Sequence, residues 1–134
     1  MSRTLTVGAA QMGAIQRADT RADVVERLIA LLHHGAEAGC DLVVFPELAL
    51  TTFFPRWYVQ DRSEFDHFFE TKMPGPETRP LFDEASRLGV GFHLGYAELT
   101  PDGRHFNTAI LVERDGSIAG LYRKVHLPGH HEHE

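Results

Sequence analysis

The stretch "DTRADVVERLIALLHHGAEAGCDLVVFPE", residues 19–47, decides the fold. Val24, Val25, Leu28, Leu31 and Leu32 recur at helical spacing, which gives a helix one apolar stripe to bury. Asp19 or Thr20 supplies an N-cap, and Gly39 a stop. "DLVVFPE" follows at once, a solidly apolar run of the kind found in strands covered on both faces. Upstream, "TLTVGAAQM" (residues 4–12) is short, apolar and β-leaning, as a buried opening strand would be. Strand, helix, strand with short joints is a βαβ unit, so two parallel neighbouring strands with a right-handed crossover are predicted.

Outward from that unit, residues 48–76 are less regular: a loop rich in aromatics, a short helix from Ser63 to Thr71, then the break "MPGP". "ETRPLFDEASRLG" (77–89) predicts a second helix with Leu81, Phe82, Ala85 and Leu88 on one face, and "VGFHLGYAEL" (90–99) a third strand. The turn signals "PDGR" and Asp115–Gly116 bracket "HFNTAILVER", and "SIAGLYRK" completes a hairpin. The expected class is α/β, with a mixed sheet whose later strands are antiparallel.

Composition narrows the partners. The 134 residues are 43% hydrophobic and 24% charged, ordinary globular usage for one domain. A net charge of −6 and no basic cluster larger than "YRK" argue against nucleic acid, because a phosphate-binding face concentrates Lys and Arg. No apolar run reaches membrane-spanning length, and the N-terminus lacks the long apolar stretch of a signal peptide. A soluble, cytoplasmic protein with no membrane partner is expected. The single cysteine, Cys40, excludes an intrachain disulfide framework.

Two ionisable residues stand at the ends of apolar strands: Glu47 closes "LVVFPE" and Lys124 closes "GLYRK". In open α/β sheets the ligand crevice lies outside strand ends, so these are candidate catalytic positions. A carboxylate beside an apolar rim is expected to have a raised proton affinity and to serve as a general base, and an ammonium nearby to stabilise an oxyanion. The plainer alternative is a pair of solvated strand-end charges.

The segments "VVFPELALTTFFP" and "YRKVHLPG", with "VGAAQMG" and "GVGFHLGYAEL", resemble the paired signatures of the nitrilase, or carbon–nitrogen hydrolase, superfamily. "MPGPETRPL" and "FNTAILVERDGSIAGLYRKVHLPGH" narrow the resemblance to the N-carbamoyl-D-amino acid hydrolases, and it runs over residues 4–134 in unbroken order. It implies the N-terminal part of a nitrilase-type αββα sandwich, a Glu–Lys–Cys mechanism with Glu47 as base and Lys124 as the oxyanion's cation, and no metal or organic cofactor. It also implies a small-molecule N-carbamoyl amino acid as substrate, split to D-amino acid, ammonia and carbon dioxide, and a homo-oligomeric full-length enzyme.

The family's nucleophilic cysteine lies downstream of the lysine motif, after a further strand. Cys40 stands seven residues before Glu47 at the opposite end of its strand, roughly 20 Å away, and reads as a small buried hydrophobe. These residues are therefore expected to be the N-terminal portion of such an enzyme, carrying two catalytic residues of three and inactive alone. Competing readings are another amidase or ureidopropionase of the same superfamily, and a truncated remnant acting only as a binding module.

His126 resembles a histidine of the carbamoylase motif; it either bonds near substrate or the lysine loop, or is a structural histidine satisfied by backbone. Within "TTFFPRWY", Phe53, Phe54 and Trp57 suit either a pocket wall or core packing, and Arg56 either pairs with a substrate carboxylate or is an ordinary surface arginine. Asn107 and Thr108 occupy a position expected to hydrogen-bond structurally on the hairpin. His33 with Glu37 offers a weak i,i+4 pair, and His126, His130, His131 and His133 match no standard structural zinc spacing.

Overall fold

A computed structural model describes residues 3–127. Five strands form one mixed sheet in the order β1-β2-β3-β4-β5: β1 (Val7–Ala9), β2 (Leu42–Val44), β3 (Gly91–Leu99), β4 (His105–Val112) and β5 (Ile118–Arg123). The first three are mutually parallel, while β4 runs antiparallel to β3 and β5 antiparallel to β4, so the parallel opening pair and the antiparallel later strands are as predicted. The helix α1 (Arg21–Glu37) makes the βαβ crossover between β1 and β2.

Thr20, not Asp19, caps α1. Its hydroxyl accepts from Asp23 N–H while the Asp23 carboxylate accepts from Thr20 N–H, closing a capping box worth about 1 kcal/mol. Asp19 instead accepts from the Gln16 N–H, which secures the loop ahead of the helix. Gly39, at φ 75°, takes the left-handed conformation just past the helix end.

The core forms where one face of the sheet meets α1 and α3 (Arg79–Leu88). Val24, Val25, Leu28 and Leu32 of α1 and Leu81, Phe82 and Ala85 of α3 are buried with Val43, Phe92, Leu94 and Ile110. Each such Val, Leu, Ile or Phe side chain contributes about 1.5–3 kcal/mol on full burial. Leu31 and Leu88 sit at the edge of the stripe and are half-buried. The two helices are also tied by a side-chain contact, His33 Nε2 lying 2.6 Å from Glu84 Oε1 on α3.

By strand alternation Val7, Val44, His93, Leu111 and Tyr122 point to the other face, where Val7 (50%), Leu111 (40%) and Tyr122 (60%) remain well exposed.

The helix expected at Ser63–Thr71 is the shorter α2 (Arg62–Asp66), capped by Asp61. It stops because Glu70 is drawn to β3: its N–H donates to the Ala97 carbonyl and its carbonyl accepts from Leu99 N–H. Phe54, Phe65, Phe68 and Phe69 fill the space below that link, with Phe54 stacked on Phe68 at 4.7 Å between centroids.

Candidate active site

The last ladder bond of β2 runs from Phe45 N–H to the His93 carbonyl, at 2.9 Å. Pro46 then lacks the N–H to continue pairing, and the chain turns through Glu47 and Leu48. Leu48 lies at φ 49°, a left-handed conformation that costs a non-glycine residue roughly 1–2 kcal/mol. Ala49 N–H then anchors on the Gly95 carbonyl at 2.8 Å. The elbow presses on β3 so closely that a Cβ at Gly95 would lie 3.0 Å from Glu47 Cα and 3.1 Å from Leu48 N. A glycine inside a strand is the sequence signal for such an approach, and "HLGYAEL" carries it.

Lys124 follows directly after β5, and its N–H donates to the Asn107 carbonyl at 2.8 Å. Its ammonium donates to Glu47 Oε1 at 2.7 Å. The Asn107 side-chain amide donates to the same oxygen, also at 2.7 Å. The turn after β2, the strand β4 and the residue just past β5, up to 77 positions apart in sequence, thus meet at one carboxylate.

The expectation of a raised Glu47 proton affinity fails. The Lys124 hydrogen bond holds the Glu47 carboxyl below its ordinary range; burial pushes the other way and the Asn107 bond adds to the lowering. The physical reason is geometric: the side chain is 48% exposed, so desolvation is outweighed by the Lys124 and Asn107 bonds together. The result is a carboxylate that is ionised at neutral pH and joined to an ammonium.

Two concavities meet at this pair. One, about 400 Å³, is walled by Leu48, Phe53, Phe54, Phe69 and Phe106, with Glu47, Asn107 and Lys124 at its edge. The other, about 430 Å³, lies on the open sheet face among His93, Gly95, Tyr122 and His126 and shares the same three polar residues. Phe53 and Phe54 therefore join the wall, whereas Trp57 packs beside the aromatic cluster under Phe54. A larger polar cleft of about 640 Å³ surrounds the Arg21–Glu70 ion pair and includes neither Glu47 nor Lys124.

His126 is exposed and lines the sheet-side hollow with Lys124. Arg56 is not brought to the site: it is exposed, stacks over the Trp57 ring at 4.6 Å, and lines neither concavity. Cys40 packs partly buried against the main core, directly beneath Gly8 at the start of β2. Among the described residues no group of three or more His, Cys, Asp or Glu is arranged to hold a metal; His130, His131 and His133 lie outside them.

Several wall residues carried no readable signal in the sequence. Phe65, Phe69, His105 and Phe106 line the aromatic concavity, and His105 is held by Asp66 of α2 at 2.7 Å. The repeated phenylalanines of "EFDHFFE" marked an apolar cluster but not its orientation. Asn107, expected only to bond within the hairpin, reaches across to Glu47.

Residues 6–134 match the carbon–nitrogen hydrolase family. The chain is 27% identical over 127 residues to an N-carbamoylputrescine amidase of Solanum tuberosum, covering 95% of this chain and 40% of that protein. It is 30% identical over 130 residues to a protein named nitrilase 2 from an unknown prokaryotic organism, covering 90% of this chain and 40% of the relative. The chain therefore spans less than half the length of these curated relatives. Among solved structures, the carbon–nitrogen hydrolase from Helicobacter pylori G27 superposes with a TM-score of 0.73 at 25% identity, over 93% of this chain and 41% of that one. The fold is thus of the nitrilase type, and with the match running from before β1 to beyond Lys124 this chain belongs to the carbon–nitrogen hydrolase family of the nitrilase superfamily.

Proposed function

We propose that these residues supply the general base and the oxyanion-stabilising cation for hydrolysis of the ureido C–N bond of N-carbamoyl-D-amino acids. The observation that carries the reading is the 2.7 Å contact of Lys124 Nζ with Glu47 Oε1 at the mouth of an aromatic concavity. In this scheme Glu47 takes the proton of a cysteine thiol, and the thiolate adds to the ureido carbonyl. Lys124 stabilises the oxyanion as a fixed positive charge. Ammonia leaves, and water hydrolyses the carbamoyl-enzyme to the D-amino acid and carbon dioxide. The ureido group is supported by the carbamoylase-like motifs around both residues and by relatives named for a carbamoyl substrate. The phenylalanine wall suits an apolar substrate side chain.

Cys40 is the only cysteine of the 134 residues, and its place beneath Gly8 at the start of β2 suits packing, not attack. In this reading the thiol comes from outside these 134 residues and the polypeptide is inactive alone; the carbamoylase-like motifs support a homo-oligomeric full-length enzyme. Among the described residues no helix is long and apolar enough to cross a membrane.

A second reading keeps the chemistry and changes the substrate to an amide or N-carbamoyl amine without a carboxylate. The position of Arg56 favours it, since the expected carboxylate partner lines neither concavity. Chemical-shift mapping with N-carbamoyl-D-phenylalanine and with N-carbamoylputrescine separates the two. Selective shifts at Phe54, Asn107 and Lys124 with the first support the primary reading; shifts with the second alone transfer the assignment. Ammonia release by the purified 134-residue polypeptide would overturn its assigned inactivity.

A further inference from the structure

We infer that Asn107 is a positioning residue of this site, occupying Glu47 Oε1 together with Lys124 so that Oε2 is the oxygen presented to a proton donor. The inference rests on the reading of Glu47 as the base and deepens it. A carboxylate oxygen offers two lone-pair positions, and Oε1 receives two donors at 2.7 Å each. Among the described residues Oε2 receives none.

Asn107 also acts on the lysine. Its main-chain carbonyl accepts from Lys124 N–H at 2.8 Å while its side chain donates to Glu47, so one residue sets the separation of the two charged groups. β4 supplies the rigidity: Asn107 stands opposite Ala97 in the β3 register, between the paired Phe106 and Thr108. Its neighbour Thr108 is fully buried and bonded to Glu98, which prevents the strand from sliding. Side-chain chemistry at 107 is then restrictive. Leucine has the shape but no donor, and aspartate would place a second anion against Glu47. Asparagine supplies a neutral donor that fixes the carboxylate without cancelling its charge.

The test is an NMR pH titration of the 134-residue chain, following the Glu47 carboxyl carbon and the Asn107 side-chain amide. The Asn107 amide resonances are expected to titrate with the same midpoint as Glu47, and Asn107→Leu is expected to shift that midpoint upward while amide dispersion stays native. A purely structural asparagine would leave the Glu47 midpoint where it was. An Asn107 amide that ignores Glu47 ionisation in the unsubstituted chain, or an unchanged midpoint in folded Asn107→Leu, overturns the inference. Should that variant fail to fold, the titration of the unsubstituted amide decides alone. Neither readout involves turnover or ligand binding, so failure of the catalytic reading would show separately, as absent ligand shifts at Asn107 and Lys124.

Discussion

Gly95 lies directly beneath Glu47: a methyl group added to it would stand 3.0 Å from the Glu47 Cα, 3.1 Å from Leu48 N and 3.2 Å from the Pro46 carbonyl oxygen. All three neighbours are backbone, and Leu48 is already held at positive φ, so the elbow has little freedom to retreat. Gly95→Ala is expected to destabilise the fold by about 1–3 kcal/mol through overpacking. It should also lengthen the Glu47–Lys124 contact. Urea unfolding measures the first effect and the Glu47 carboxyl titration the second; an unchanged midpoint of both would refute the close approach.

Lys124→Met removes the largest cause of the depressed Glu47 proton affinity, so the carboxyl should titrate closer to its ordinary value. The sign for stability follows from linkage. A carboxyl whose folded value lies below its unfolded value contributes stability above about pH 4.5 that is lost as pH falls through the folded value. The variant should therefore lose less stability than the parent between pH 5 and pH 3, roughly, as read by denaturant midpoints. With Glu47 48% exposed the difference is small, a few tenths of a kcal/mol at roughly physiological salt.

Glu70 has the opposite sign. Burial raises its proton affinity against the partial relief given by Arg21, so the ionised form is the less favoured one in the fold. Its contribution grows as pH falls through the raised folded value and declines as pH rises through it. Glu70→Gln removes the charge but keeps a side-chain oxygen able to accept from Arg21, whose guanidinium also donates to the Leu50 and His67 carbonyls. At pH 7 that change should be neutral to slightly stabilising, because glutamine stands in for the protonated acid the fold prefers, whereas Arg21→Met alone should cost about 3 kcal/mol by stranding the buried Glu70 carboxylate. Arg21→Met with Glu70→Leu together should cost clearly less, because neither charge is then stranded. Thermal unfolding of the three variants checks the ordering.

Phe54 is 5% exposed, stacks on Phe68 and contacts Phe65 and Phe69 at 5.8 and 5.3 Å between centroids. Phe54→Ala should cost about 3–5 kcal/mol, the usual loss for a buried aromatic, and widen the concavity beside Glu47. The Tm should fall while the Glu47–Lys124 bond persists, since Lys124 is anchored on β4 and the Glu47 elbow on β3 by backbone bonds. Loss of both at once would mean that the aromatic cluster also positions the charged pair.

The elements were legible wherever local pattern and burial agree. The α1 stripe, the β2 run and the two hairpin turns carry their periods openly, so the mixed sheet and its parallel-then-antiparallel order follow from residues near each other in the chain. Legibility failed where a distant partner overrode a local preference. Residues 67–70 have helix-compatible composition, yet β3 captures Glu70 and ends α2 early. Arg56 stands in the right motif, but its own neighbour Trp57 holds the guanidinium away from the concavity.

The sequence by itself determined that this is a carbon–nitrogen hydrolase chain and singled out Glu47 and Lys124, because strand-end charges after apolar runs are local features. Only the tertiary structure decided what those charges experience. The ends of β2 and β5 meet β4 so that Lys124 and Asn107 share one oxygen of Glu47, and a proton affinity expected to rise falls instead. The physical reason is that a pKa depends on the distances and exposure of groups 60 and 77 positions apart, which folding alone sets.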